Sequence, residues 1–246
     1  MRSPHLGCAL LLECAWRHHL TAAALALLAG TAGAQVPPSL DTPVHAFALL
    51  RHLPECGLEA VLRRVAKNAG VPIGFERVTT CRGHQALGFP EMLKPLDRAG
   101  ADVIDGVPVK EVLARIAAMD PDYEWAIVEG VAVFRPSSAW RDTNDPLTLR
   151  VPAMRFFDAP AVSVVGAMLN WPERAPDRRQ HRTSVDFAGG TVLDALNSLV
   201  QSQPAMWYVS SNRERLFVAV WFAGSNDGFS LAAPMSGLVN RRPPSS

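Results

Sequence analysis

An internal repeat constrains the fold of this chain more than any other feature of its sequence. In its first copy, apolar residues recur with the spacing that places them on one face of an amphipathic helix. These residues are Val109, Val112, Leu113, Ile116 and Ala117. Pro121 then ends the helix, and the alternating segment 123–127, the turn at Glu129-Gly130 and the segment 131–133 predict a β-hairpin.

The same pattern returns 83 positions later. Leu113 corresponds to Leu196, and Pro121 corresponds to Pro204. At this offset Trp125 corresponds to Tyr208. A helix stripe, a terminating proline and a hairpin in common register indicate an internal repeat.

A strand, a helix and a second strand are predicted ahead of each repeated segment. In the first half, the helix stripe of segment 58–69 lies between strands at 44–50 and 73–78. In the second half, strands are predicted at 147–157 and 182–187, with a helix between them. The expected fold is α+β, with two small repeated domains, each a mixed sheet with two helices on one face.

Composition shifts divide the chain into segments. Polar or proline-rich stretches without periodicity separate the two patterned regions and follow the second. We therefore expect a signal peptide (1–34), a linker (35–43), a first domain (44–136), a second linker (137–146), a second domain (147–224) and a flexible C-terminal tail (225–246).

The N-terminal segment has the features of a secretory signal. Arg17 precedes an apolar run, Leu20–Leu28, and Ala32-Gly33-Ala34 offers small residues for cleavage before Gln35. The alternative is an uncleaved anchor or an internal helix. A cleaved signal predicts a periplasmic or secreted protein.

The charge balance disfavours nucleic acid as a partner. The chain has 24 Lys and Arg against 23 Asp and Glu, and removal of Arg2, Arg17 and Glu13 with the signal leaves 22 of each. A neutral chain lacks the basic surface that drives non-specific nucleic-acid binding. No second apolar run of about 20 residues follows the signal, so no membrane span is expected after cleavage.

Both halves resemble the secretin and TonB short N-terminal domain, a module at the periplasmic entrance of outer-membrane secretins and of some TonB-dependent receptors. The matching stretches begin at Leu53-Pro54 and at Phe156-Phe157, each ahead of a helix with paired apolar residues. In the second part of the pattern, the matching helix cores are Val109–Leu113 and Val192–Leu196. Unlike those larger proteins, this chain is expected to lack a barrel or secretin ring.

The resemblance implies a domain without catalytic residues that works by contacting other proteins. We therefore expect a non-enzymatic, exported interaction module that contacts an unidentified envelope protein. The alternative is an envelope protein that binds a glycan or a small ligand through surface tryptophans. Neither function requires a cofactor.

Motifs for catalysis are absent from the sequence, which has no G-x-S-x-G, phosphate-binding loop or H-E-x-x-H pattern. A metal site of Cys56, Cys81 and His84 is an alternative to a disulfide. Loop charges and aromatic residues offer candidate ligand or partner contacts, although solvated loops and core packing explain the same residues. The candidates are Trp171, Arg178, Arg179, Trp207 and Trp221.

Cys56 and Cys81 are predicted to form a disulfide. In a right-handed β-α-β unit, the start of the helix and the end of the second strand lie at the same end of the unit. Cys56 precedes the helix stripe and Cys81 follows the second strand, in a chain expected in an oxidising compartment. We expect the bond to stabilise the fold by about 3–3.5 kcal/mol. Thiol titration of the denatured, non-reduced mature protein should find no free thiols, and two reactive thiols per chain would refute the bond.

Overall fold

A six-stranded mixed sheet forms the centre of the fold, and helices pack on both of its faces. The computed structural model describes residues 39–45, 47–50, 57–77, 101–171, 181–203, 205–212, 215–222 and 228–235. The fold is α+β, as the sequence predicts. Among the described residues, no helix is both long enough and apolar enough to cross a bilayer.

The elements of the first half are β1 (Pro43–Val44), β2 (Phe47–Leu50), α1 (Gly57–Ala69), β3 (Ile73–Arg77), β4 (Ala101–Ile104), β5 (Val107–Pro108), α2 (Val109–Ala118), β6 (Tyr123–Val128) and β7 (Val131–Pro136). Those of the second half are a 3-10 helix (Pro146–Thr148), β8 (Arg150–Val151), β9 (Met154–Pro160), α3 (Ala161–Met168), β10 (Arg182–Phe187), β11 (Gly190–Thr191), α4 (Val192–Gln201), β12 (Ala205–Ser211), β13 (Arg215–Phe222) and β14 (Gly228–Pro234).

The central sheet takes strands from both halves, in the order β14-β13-β12-β3-β7-β6. β3 pairs in parallel with β7 on one side and with β12 on the other. The remaining pairs, β6–β7, β12–β13 and β13–β14, are antiparallel. The shorter strands form two-stranded ladders, β2–β4 and β1–β5 in the first half and β9–β10 and β8–β11 in the second.

Each half covers a different face of the shared sheet. Successive residues of a strand point to opposite faces, and in β7 Val133 packs in the core of α3 and α4 whereas Phe134 packs in the core of α1 and α2. Every residue of β7 is buried as a result. Leu113 and Leu196 are fully buried, one in each core, which confirms the predicted helix stripes.

The repeated helix and hairpin recur in the structure. Helix α2 spans 109–118 and α4 spans 192–201, so both ends are offset by 83. In α4, Thr191 and Asp194 form a reciprocal capping box, whereas Pro108 at the start of α2 forms no side-chain cap. The first strands correspond too, because Phe47 pairs with Ile104 as Met154 pairs with Phe187.

The predicted match of Trp125 with Tyr208 is wrong by one residue. Trp125 packs against the core of its own half, and so does Trp207, whereas Tyr208 points to the opposite face. The connection from α4 to β12 is one residue shorter than that from α2 to β6, since 118 to 123 is five positions and 201 to 205 is four. Trp207 is therefore the counterpart of Trp125.

Two separate sheets were expected, and the structure instead joins the strands of both halves in one sheet. The described residues all fall within one compact unit, so a division into two domains is not confirmed. The physical reason is the edge of β12, which satisfies its backbone groups by pairing with β3.

Two segments that the sequence predicts to be irregular also contribute to the fold. Within the linker expected at 137–146, Ala139 and Asp145 are buried. Within the tail expected at 225–246, residues 228–234 form β14 and pair with β13 along its length. β14 thus takes the place next to β13 that β3 takes next to β7, but in the opposite direction.

Gly74 and Trp207 form a close contact between the halves. They are opposite each other in the β3–β12 ladder, and the indole of Trp207 lies across Gly74. A Cβ atom at position 74 would lie 2.1 Å from Cζ2 of Trp207. Trp207 cannot easily turn away, because it is fully buried and its Nε1 donates to Oδ1 of Asn197 at 2.9 Å.

Gly74→Ala should lower the free energy of unfolding by about 1–3 kcal/mol or more, because the added methyl group overpacks the joint. Gly166→Ala in α3 is the matched control, since its Cβ would lie 3.7 Å from the nearest atom, an ordinary contact. That change should be neutral or stabilise by up to about 1 kcal/mol through helix propensity. Urea unfolding measures both, and an unchanged Gly74→Ala protein would contradict the β3–β12 joint.

Candidate functional site

The outer edge of β6 is the candidate functional site. β6 is the last strand of the central sheet, and among the described residues no strand pairs with its outer edge. An unpaired edge presents a row of backbone donors and acceptors that another strand can use.

The alternation of hydrogen-bonded residues along β6 identifies which backbone groups face outward. In an antiparallel ladder, alternate residues bond to a given neighbour. Ser137 N donates to Asp122 O at 2.9 Å. Given the register of the ladder, the residues of β6 that hydrogen-bond to β7 are therefore the even-numbered ones, beginning with Glu124. The N–H and C=O groups of Trp125 and Ile127 therefore point to the open edge.

The turn after β6 determines which residues of β6 hydrogen-bond to β7. Glu129 and Gly130 both have positive φ, 50° and 77°. Two consecutive residues with positive φ are the signature of the type I′ turn, whose twist matches that of an antiparallel hairpin. The two-residue connection makes Val128 and Val131 the closing pair of the ladder.

The side chains along β6 differ between its two faces. On the α1–α2 face, Trp125 is half-buried and stacks on Phe134 with ring centroids 5.9 Å apart, whereas Ile127 is 60% exposed. On the other face, Glu124 and Ala126 are exposed. Exposed large hydrophobic side chains also occur away from the edge of the central sheet, at Val103 and Phe157.

The surroundings of β6 are acidic. Asp122, Glu124 and Glu129 are exposed and lie before, within and after the strand. Among the described residues, none of the three forms an ion pair. The edge therefore combines backbone pairing groups with one apolar side chain and a negative potential.

Trp140, in the segment between the halves, forms a hydrogen bond with β6. Nε1 of Trp140 donates to Glu124 O at 3.4 Å, and the Trp140 ring also lies 5.2 Å from the guanidinium of Arg135, the residue paired with Glu124 in the ladder. Trp140 thus contacts both strands of the hairpin.

Arg135 is the centre of a buried charge cluster. Its Nε lies 2.6 Å from Oε2 of Glu76 on β3, and its Nη2 lies 2.7 Å from Oδ1 of Asp145. All three side chains are at least nine-tenths buried. Asp145 Oδ1 also accepts from Leu147 N at 2.8 Å, so the cluster ties β3 and β7 to the start of the 3-10 helix.

Burial, the hydrogen bond to Asp145 and the charge of Asp145 together raise the pKa of Glu76 from 4.5 to about 8, although the charge and hydrogen bond of Arg135 lower it. Two carboxylates beside one guanidinium cannot easily both ionise in a buried site. Burial likewise raises the pKa of Glu59 on α1 to about 7, against the charges of Arg77 and Arg63.

The sequence-predicted contact residues do not form one surface. Trp207 is fully buried, which corrects its assignment as a surface contact, and Trp221 is 6% exposed in the opposite core, beneath the guanidinium of Arg63. Trp171 is half-buried against the α3–α4 core, and its N–H donates to Gly166 O. Arg178 and Arg179 lie outside the described residues.

The predicted disulfide and the alternative metal site are not described either. Cys56, Cys81 and His84 all lie outside the described residues. Within the part that the structure describes, no group of three or more His, Cys, Asp or Glu side chains is placed to hold a metal ion.

No protein family model, curated protein or solved structure matches this chain.

The sequence predicts neither the exposure of Ile127 nor the burial of the charged side chains around Arg135. The alternation through Trp125 and Ile127 correctly places both on one face, but only the strand order shows that this face is uncovered at Ile127. Nothing local to Arg135 distinguishes it from an exposed residue at the end of a strand. Its burial depends on the segment 137–146, which is predicted from the sequence to be a linker.

The raised pKa of Glu76 predicts a pH-dependent stability. The folded protein keeps this proton at pH values where the unfolded chain, with its pKa near 4.5, has lost it. The contribution is therefore full below about pH 4.5 and is lost as pH rises towards about 8. Urea unfolding from pH 5 to pH 9 should show a loss of about 2–4 kcal/mol from this group.

Glu76→Gln should flatten this profile, because the amide has no proton to lose. Glu124→Gln, an exposed change on the neighbouring strand, is the control and should keep the slope. Glu59→Gln should remove a separate part of it. An unchanged slope in Glu76→Gln would show that the cluster does not hold the proton.

Proposed function

We propose that this protein is an exported, non-enzymatic interaction module that binds an envelope protein through the outer edge of β6. The main support for this proposal is the edge of β6, where the backbone groups of Trp125 and Ile127 face outward and the side chain of Ile127 is exposed. Addition of an extended segment to a sheet edge is a recurrent mode of protein recognition, because main-chain bonds supply affinity and side chains supply specificity.

The geometry of the support suits this role. The hairpin is closed by a two-residue turn, its inner strand is buried on both faces, and Trp140 holds the carbonyl of Glu124 from behind. An edge that is rigid before binding loses less conformational entropy when a partner docks.

Two sequence features support export and contact with another protein. The apolar run Leu20–Leu28, with the small residues before Gln35, has the form of a cleaved signal. The resemblance of each half to the secretin and TonB short N-terminal domain points to the same compartment and to a role in contacting proteins.

Site-specific photo-crosslinking tests the proposal. A photoreactive amino acid at position 127, in the full chain expressed in its native cell envelope, should give a protein adduct. The same group at Val103, which is 73% exposed on β4, is the matched control and should give none. Adducts from position 103 or 171 without any from position 127 would place binding elsewhere and refute the β6 site.

A further inference from the structure

We propose that the segment bound at β6 runs parallel to it and carries basic side chains on the face of Glu124 and apolar side chains on the face of Ile127. This inference rests on the proposed function, because it concerns the same edge. It adds the direction of the bound strand and the chemistry of the partner.

The direction follows from the internal repeat. β12 is the counterpart of β6, since each strand follows the repeated helix, opens the hairpin and places its tryptophan in the core of its own half. Each also has its hairpin partner on one side, β13 or β7.

On its other side β12 is not open. β3 pairs with it in parallel over five residue pairs, from Met206 with Ile73 to Ser210 with Arg77. The edge of β12 that accepts β3 corresponds to the edge of β6 that no described residue pairs with. The chain itself thus shows the mode in which a strand of this type is extended.

The chemistry of the partner follows from the two faces of β6. Glu124 is exposed on one face, with Asp122 and Glu129 exposed at the two ends of the strand. A neighbouring strand lies about 4.7–4.9 Å away and carries alternate side chains on each face, where opposite charges attract and like charges repel. Basic residues therefore suit this face.

The opposite face calls for apolar residues. Ile127 is 60% exposed and lies two positions from Trp125, which already packs on Phe134. An apolar side chain beside Ile127 would continue the α1–α2 core outward and remove the exposed surface of Ile127 from water. The expected occupant is thus an extended segment of a partner protein in which basic and apolar residues alternate.

Binding of a synthetic heptapeptide of alternating Lys and Val to the mature protein tests this proposal. A heptapeptide of alternating Glu and Val is the matched control, with the same β propensity and the opposite charge. We expect the Lys peptide to bind roughly tenfold more tightly at low salt, with a preference that weakens as ionic strength rises. Glu124→Lys should reduce or reverse the preference.

The direction is read from paramagnetic broadening of backbone amide signals. A nitroxide at the N-terminus of the peptide should broaden signals near Tyr123, and one at the C-terminus should broaden those near Val128. The reverse pattern would overturn the parallel direction. Equal affinity for the two peptides, or no binding of either, would overturn the charge assignment.

Ile127→Pro shows whether backbone pairing is responsible. Its N–H faces the open edge, so proline removes a donor from the bound strand and leaves the β6–β7 ladder intact. Binding should be lost while the melting temperature is kept, whereas Ile127→Thr, which retains the N–H, should only weaken it. Persistent binding by Ile127→Pro overturns the strand-addition mode.

The peptide and crosslinking results separate the two proposals. Antiparallel or charge-independent peptide binding, together with an adduct from position 127, refutes only the direction or the chemistry. Parallel binding of the Lys peptide without that adduct refutes only the envelope role.

Discussion

The parallel pairing of β3 with β12 is the constraint on which the rest of the structure depends. It turns two three-stranded groups into one sheet, and it requires Gly74 to lie under the indole of Trp207. Because the sheet is shared, the helices of one half cover one face and those of the other half cover the opposite face. β7, next to β3, is consequently buried on both sides, and β6 is left at the end.

The two halves have the same elements, but the shared sheet gives corresponding strands different neighbours. β12 has its outer edge satisfied by β3, whereas β6 has no such neighbour in the described part of the chain. Trp207 is consequently sealed in the core, and its counterpart Trp125 is only half-buried. One sequence pattern therefore gives an interior strand in one half and a strand at the end of the sheet in the other.

The sequence predicts the local elements well, because their signals are local. The apolar stripes predict α1, α2 and α4, and the Glu129-Gly130 turn predicts the hairpin of β6 and β7. Strand order is not available from such patterns, since an edge that pairs with a distant strand has the same alternation as one that pairs with none. For this reason the shared sheet, the strand within the expected tail and the exposure of Ile127 could not be predicted.

The buried charges have a consequence for the alignment of the strands. A slip of β3 by one residue against β7 would move Glu76 to the opposite face and leave the guanidinium of Arg135 buried without it. Asp145 would still lie beside the guanidinium, but the Nε–H of Arg135 would lose its acceptor, and a buried donor without a partner costs about 1–3 kcal/mol, whereas a satisfied one adds little net stability. The cluster thus acts mainly by penalising wrong alignments, and it selects a single register for a strand whose side chains are otherwise small or apolar on that face.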